Sequence, residues 1–146
     1  MLNVETVDRS WLRAGIAVAA VGWGANQFAP LLVMYQARLG LSGATAQATF
    51  GLYALGLMPA LLVGGLLADR YGRRTVLLPA LVASLLAGAL LIAGGSTPAL
   101  LFAGRLVAGI ASGAAFSSGA AWVKELAPAE TGARRLTVAM TAGFAA

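Results

Sequence analysis

The sequence predicts an all-α, polytopic transmembrane helical bundle, and three observations carry that prediction. Of 146 residues, 60% are hydrophobic and only 10% charged, against about 25% charged in an average globular chain. The mean hydropathy is +0.84. The few charges fall in short clusters between long apolar runs. Such a chain cannot cover a water-facing surface, so lipid is its expected main solvent and the bilayer its first partner.

Residues 1–12 read as a cytoplasmic N-terminal leader, and residues 13–146 as an incomplete N-terminal transmembrane half. The first span is expected at 14–37, where 24 uncharged residues separate Arg13 from Arg38. A helix of that length covers roughly 36 Å, enough for a ~30 Å hydrocarbon core. A cleaved signal peptide has a shorter apolar core of about 7 to 15 residues, so this run reads as an uncleaved signal anchor. The segment Ser42, Gly43, Thr45, Gln47, Thr49 is polar and turn-like, which places the second span at about 46–67, closed by Asp69. The third is expected at 75–95, ended by the turn residues Gly94, Gly95, Ser96, Thr97 and Pro98. Its interior offers only Ser84 as a polar side chain, so it reads as lipid-facing scaffold. The fourth span follows at about 99–123.

Lys124, Glu125, Pro128, Glu130, Arg134 and Arg135 then form a polar loop. A fifth apolar run, 136–146, has 11 residues, too few to cross a bilayer. A Met1 start with a leader, followed by an end within a span, is the pattern of an N-terminal fragment of a larger protein. The expected partner is the missing C-terminal half, and the complete protein is expected to be monomeric.

Arginine and lysine set the orientation. With the N-terminus inside, Arg9, Arg13, Arg70, Arg73, Arg74, Lys124, Arg134 and Arg135 are cytoplasmic, against Arg38 alone outside and Arg105 within a span. That asymmetry favours an N-in, multi-pass protein of the plasma membrane. The same clustering makes the net charge of +5 a signature of topology, with no nucleic-acid partner expected. The chain has no Cys and no His, which excludes thiol catalysis, disulfide scaffolds and the usual zinc or haem ligand sets. No cofactor or metal is expected. The spans also lack Asp and Glu, so no catalytic constellation is in view and an enzyme is not expected.

The loop between the second and third spans reads Gly65-Leu66-Leu67-Ala68-Asp69-Arg70-Tyr71-Gly72-Arg73-Arg74-Thr75-Val76-Leu77. A cytoplasmic loop gathers arginines in any case, but that does not account for Gly65, Asp69 and Gly72 at these spacings. Asp69, where a helix leaves the membrane, suits the positive end of a neighbouring helix. Arg73 can reach Asp69 across the tight turn that Gly72 permits, and Gly65 removes a side chain where another helix approaches. The segment resembles the signature of the major facilitator superfamily, G-x-L-a-D-r-x-G-r-k-x-x-l. Eight of its nine specified positions are identical, and Arg74 stands for Lys at the ninth. The resemblance covers about Arg13 to the C-terminus. It implies two six-helix halves rocking about a midplane site, a small-molecule solute, and a contact from Gly65, Asp69, Arg70, Gly72, Arg73 and Arg74 to the second half that latches the cytoplasmic side in the outward-facing state.

An intramembrane Arg costs at least ~2.5 kcal/mol on insertion scales, so Arg105 is a functional candidate. Snorkelling is the alternative. Against it, Arg105, Gly109, Gly113, Ser117 and Ala121 form one i, i+4 ridge, which puts Arg105 on a small-residue packing face. The stretch is similar to the superfamily's fourth-helix pattern l-x-x-x-R-x-x-q-G-x-g-a-a through Leu101, Arg105 and Gly109, with Ala108 where the family has Gln. The resemblance implies a link between this Arg and proton coupling. No intramembrane acid accompanies it, so if the protein is proton-coupled a coupling carboxylate is expected in the missing spans, with Arg105 either tuning that acid or binding an anionic substrate group. Asn26 and Gln27, near the depth of Arg105, are costly in lipid unless they face protein or water. Interhelical glue and substrate contact stand as equal readings for them. Gly109 and Gly113 are candidates for the same cavity on account of the ridge they share with Arg105. Pro30 is expected to break the first span locally. The rival reading is a small four-helix efflux or structural protein, complete in itself.

Overall fold

The computed structural model describes residues 10–126 and 132–144. Part of the expected leader (1–9, with Arg9), as well as Pro128, Glu130 and the last two residues, lies outside the described residues. The described chain is all helical: α1 (Ser10–Asn26), α2 (Phe28–Leu39), α3 (Gly43–Tyr71), α4 (Arg73–Ala93), α5 (Pro98–Leu126) and α6 (Gly132–Phe144). Four stretches are long and apolar enough to cross a membrane, with α1 and α2 together forming the first.

The first stretch is broken at Gln27, three residues before Pro30. The break sits there because Pro30 has no N–H for the carbonyl four residues earlier, so the irregularity appears one turn before the proline. Gly40, at φ +61°, closes α2 in the left-handed conformation that glycine adopts without strain.

The polar segment 42–49 is helical from Gly43 onward and not a turn. Ser42 caps α3, its Oγ accepting from the Thr45 N–H at 3.1 Å, and Thr49 turns its hydroxyl back to the Ala46 carbonyl at 2.6 Å. With local acceptors satisfied in this way, polar side chains sit in the first two turns of a membrane helix at little cost. The expected loop after the fourth span is also shorter than the charges suggest. Lys124 and Glu125 belong to the last turn of α5, and Arg134 and Arg135 to the start of α6. Charges at a membrane boundary mark where lipid ends, which need not be where the helix ends.

α5 is the central helix, packed against α1, α3, α4 and α6. Its crossing with α3 is made by glycine. A Cβ on Gly109 would collide with the Tyr53 carbonyl oxygen, and one on Gly113 would stand 2.5 Å from that of Leu57. Gly56 and Gly64 of α3 do the same for α5, a Cβ on Gly56 falling 2.5 Å from the Leu106 carbonyl and one on Gly64 falling 2.9 Å from the Ala114 Cα. Backbones therefore meet directly, the close packing by which membrane helices associate without a hydrophobic driving force.

α4 is not scaffold alone. Leu77, Ala80, Ala87 and Leu91 are buried, while Leu78, Val82, Leu85, Leu86 and Ile92 are exposed, so one stripe packs inward and the other presents a surface suited to hydrocarbon. Two apolar clusters fill the bundle. One joins Phe28, Leu32, Tyr35, Ala46, Leu91 and Leu101 near the α4–α5 turn. The other joins Val21, Leu77, Ala80 and Ala115, with Trp122 against it, toward the Asp69 end.

Candidate functional site

Two sites emerge at different heights in the bundle. At the end where α3 turns into α4, Gly72 has φ +96° and ψ 147° and donates its N–H to the Ala68 carbonyl at 3.0 Å. That backbone region is essentially reserved for glycine. It lets α4 start one residue after α3 ends, which sets Arg73 back over Asp69.

The Arg73 guanidinium pairs with the Asp69 carboxylate. It also donates to Glu125 Oε1 through Nε at 3.0 Å and through a terminal nitrogen at 2.9 Å. One cation thus ties the α3–α4 turn to the last turn of α5. Arg73 is largely covered, its side chain 19% exposed, whereas Asp69 is 64% exposed, so the Asp69 carboxylate keeps accepting capacity on its open side. Ala68, Asp69, Gly72, Arg73, Arg74, Thr75, Trp122 and Glu125 line a cleft of about 450 Å³. Arg70 lies over the Tyr71 ring at 5.5 Å, and Arg74 is exposed. Gly65 meets only ordinary contact, since a Cβ added there would lie 3.9 Å from the Ser117 Cβ. Within the described residues the close approach expected at Gly65 falls on Gly64.

Glu125 is the member of this cluster that the sequence places in a loop. A signal for it exists, because Glu125 continues the ridge Arg105, Gly109, Gly113, Ser117, Ala121 by one further step of four.

The second site surrounds Arg105. Its side chain is 2% exposed and does not snorkel. The guanidinium carbon lies 4.0 Å from the Phe28 ring, 4.3 Å from Tyr53 and 5.7 Å from Phe50. Nε points to the Thr49 carbonyl at 3.5 Å, a long contact, and one terminal nitrogen, Nη1, is buried with no hydrogen-bond partner. Phe50 and Tyr53, three apart on α3, share a face, and Phe28 comes from the first residue of α2. Gly109 and Gly113, the expected cavity glycines, face the α3 backbone instead, which fills the space beside them. Asn26 is exposed and Gln27 half-buried at the helix break. Among the described residues no cluster of acidic side chains suited to a metal occurs.

With this geometry in place, comparison with known proteins is decisive. The chain matches the family model described as Major Facilitator Superfamily over residues 14–146. The chain belongs to the major facilitator superfamily. It is a multi-pass membrane protein of that fold type, an all-α polytopic bundle. It is also 33% identical over 127 residues to the 3-(3-hydroxy-phenyl)propionate transporter of Escherichia coli (strain K12), a match that covers 87% of this chain and 30% of the relative. The chain therefore spans about a third of that relative's length. No solved structure matches it.

Proposed function

We propose that these residues form the leading part of a secondary active transporter that moves a small solute across the plasma membrane by alternating access, with the N-terminus cytoplasmic. The observation that carries this reading is the Asp69–Arg73–Glu125 cluster. It fastens the α3–α4 turn to α5 while leaving Asp69 open on one side. A carboxylate so placed can accept from the N-terminus of a helix in the second half, a contact worth about 0.3 to 2 kcal/mol. That is strong enough to bias a two-state equilibrium and weak enough to stay reversible.

The reading gives the protein no catalytic role. The relative is named for an aromatic carboxylate, which supports an organic acid as the solute. If transport is driven by protons, the titrating carboxylate belongs to spans beyond α6, because the stretches 14–37, 46–67, 75–95 and 99–123 contain no Asp or Glu. The test is uptake by the full-length protein in energised vesicles, using a panel of radiolabelled aromatic and aliphatic carboxylates. Accumulation of one of them, collapsed by an ionophore and absent in Asp69→Asn protein that still inserts normally, is the expected result. Equal accumulation by Asp69→Asn would reduce the cluster to a structural turn.

A further inference from the structure

Arg105 carries a charge that nothing in the described chain balances. The acids among the described residues, Asp69 and Glu125, both stand at the far end of the bundle. Thr49 sits near the start of α3 and Asp69 near its end, 20 residues away, or roughly 30 Å along a helix. Around Arg105 itself are Phe28, Phe50 and Tyr53. Ring faces attract a cation but supply no lone pair for an N–H. Nη1 is accordingly buried without an acceptor, and an unpaired buried donor on a charged group is among the costlier things a fold can hold.

The surroundings also restrict what could satisfy it. Phe28 and Tyr53 approach the guanidinium carbon closely, and Thr49 takes the Nε side. Nη1 is the terminal nitrogen buried without an acceptor, and a planar acceptor meeting an arginine edge-on is the geometry of a carboxylate. Phe28 is buried and packs against Tyr35 and Phe50, but of the three rings it alone stands beside a helix break. It follows directly on the break at Gln27, whereas Phe50 and Tyr53 lie inside the unbroken α3. Further along α2 the Tyr35 hydroxyl donates to the Leu91 carbonyl at 2.7 Å, which anchors that part of the helix to α4.

We infer that Arg105 is the carboxylate-binding group of a solute site and that Phe28 is its removable cover. The cover occupies the cation while the site is empty, and a carboxylate displaces it to reach Nη1. The assignment rests on the transporter reading and gives it a substrate class, monocarboxylates, with the aromatic walls of Phe50 and Tyr53 favouring acids that carry a ring.

Binding to the purified full-length protein tests this without any transport. Benzoate and 3-phenylpropionate, with their uncharged amides as controls, are titrated calorimetrically at constant chloride. At least one of the acids is expected to bind wild-type protein ten-fold or more tighter than its amide. Arg105→Gln should abolish that preference, and Arg105→Lys, which keeps the charge but loses the planar fork, should weaken it. Because a covered site binds with affinity reduced by the uncovered fraction, Phe28→Leu should bind the acid several-fold tighter and its amide unchanged.

Failure of both acids to bind wild-type protein, or a preference that survives in Arg105→Gln, overturns the site. Unchanged acid affinity in Phe28→Leu overturns the cover. Carboxylate binding lost in Arg105→Gln, in a protein that moves no solute in vesicles, would uphold the site and sink the transporter reading alone.

Discussion

Arg73 grips Glu125, 52 positions further along the chain, through two of its nitrogens at 2.9 and 3.0 Å, and the same guanidinium pairs with Asp69 one turn before it. A single cation thereby links the α3–α4 turn to the end of α5. Both carboxylates are more than half exposed, and such pairs contribute roughly 0 to 1 kcal/mol to stability. The cluster therefore adds little to holding the fold, and the role proposed for it is to set a conformational balance.

This separation of roles is measurable with Glu125→Gln. The substitution should cost less than about 1 kcal/mol in a thermal or denaturant melt of the full-length protein, while transport falls several-fold because Arg73 is left on Asp69 alone. A large drop in melting temperature with normal transport would reverse the assignment.

The α3–α5 crossing makes a contrasting prediction. Gly109→Ala puts a methyl into the Tyr53 carbonyl, so backbones must separate, and overpacking of that kind costs about 1 to 3 kcal/mol. Gly51→Ala, at a glycine of α3 with nothing within 4 Å, should be neutral or slightly stabilising because Ala is the better helix former. Melting curves of the two variants, measured side by side, check this.

Topology is open to a direct test. A reporter placed after Arg74 is expected to behave as cytoplasmic, and one inserted after Ser96 as extracytoplasmic, following the eight-to-one distribution of Lys and Arg. The opposite pattern would move the Asp69 cluster to the outer face.

Much of this architecture is legible in the sequence, for identifiable reasons. Uncharged runs long enough for a bilayer have few alternatives to a helix, and the spacing of Asp69, Gly72 and Arg73 has a stereochemical cause in the turn at Gly72, whereas the close approach expected at Gly65 falls on its neighbour Gly64. The burial of Arg105 follows from its place on the ridge with Gly109 and Gly113. Where the sequence misleads, the cause is that polar residues mark a membrane boundary and a helix end in the same way. Lys124 and Glu125 read as a loop although α5 continues through them, and Ser42 to Thr49 as a turn although Ser42 caps a helix there. The ring cage of Arg105 joins Phe28 to Phe50 and Tyr53 from separate helices. In an apolar helix, aromatic residues that face lipid and those that face a buried cation look alike.

If the Asp69 cluster sets the balance between two states of a transporter, the distance across the cytoplasmic face must respond to the charge on Asp69. The chain has no cysteine of its own, so one spin label can be placed at the exposed Tyr71 and a second on the corresponding turn of the second half of the full-length protein. Pulsed electron–electron resonance of the wild type should give a distribution dominated by the short, closed distance, and Asp69→Asn should shift it to a longer one. Identical distributions in the two proteins would contradict a gating role for the cluster.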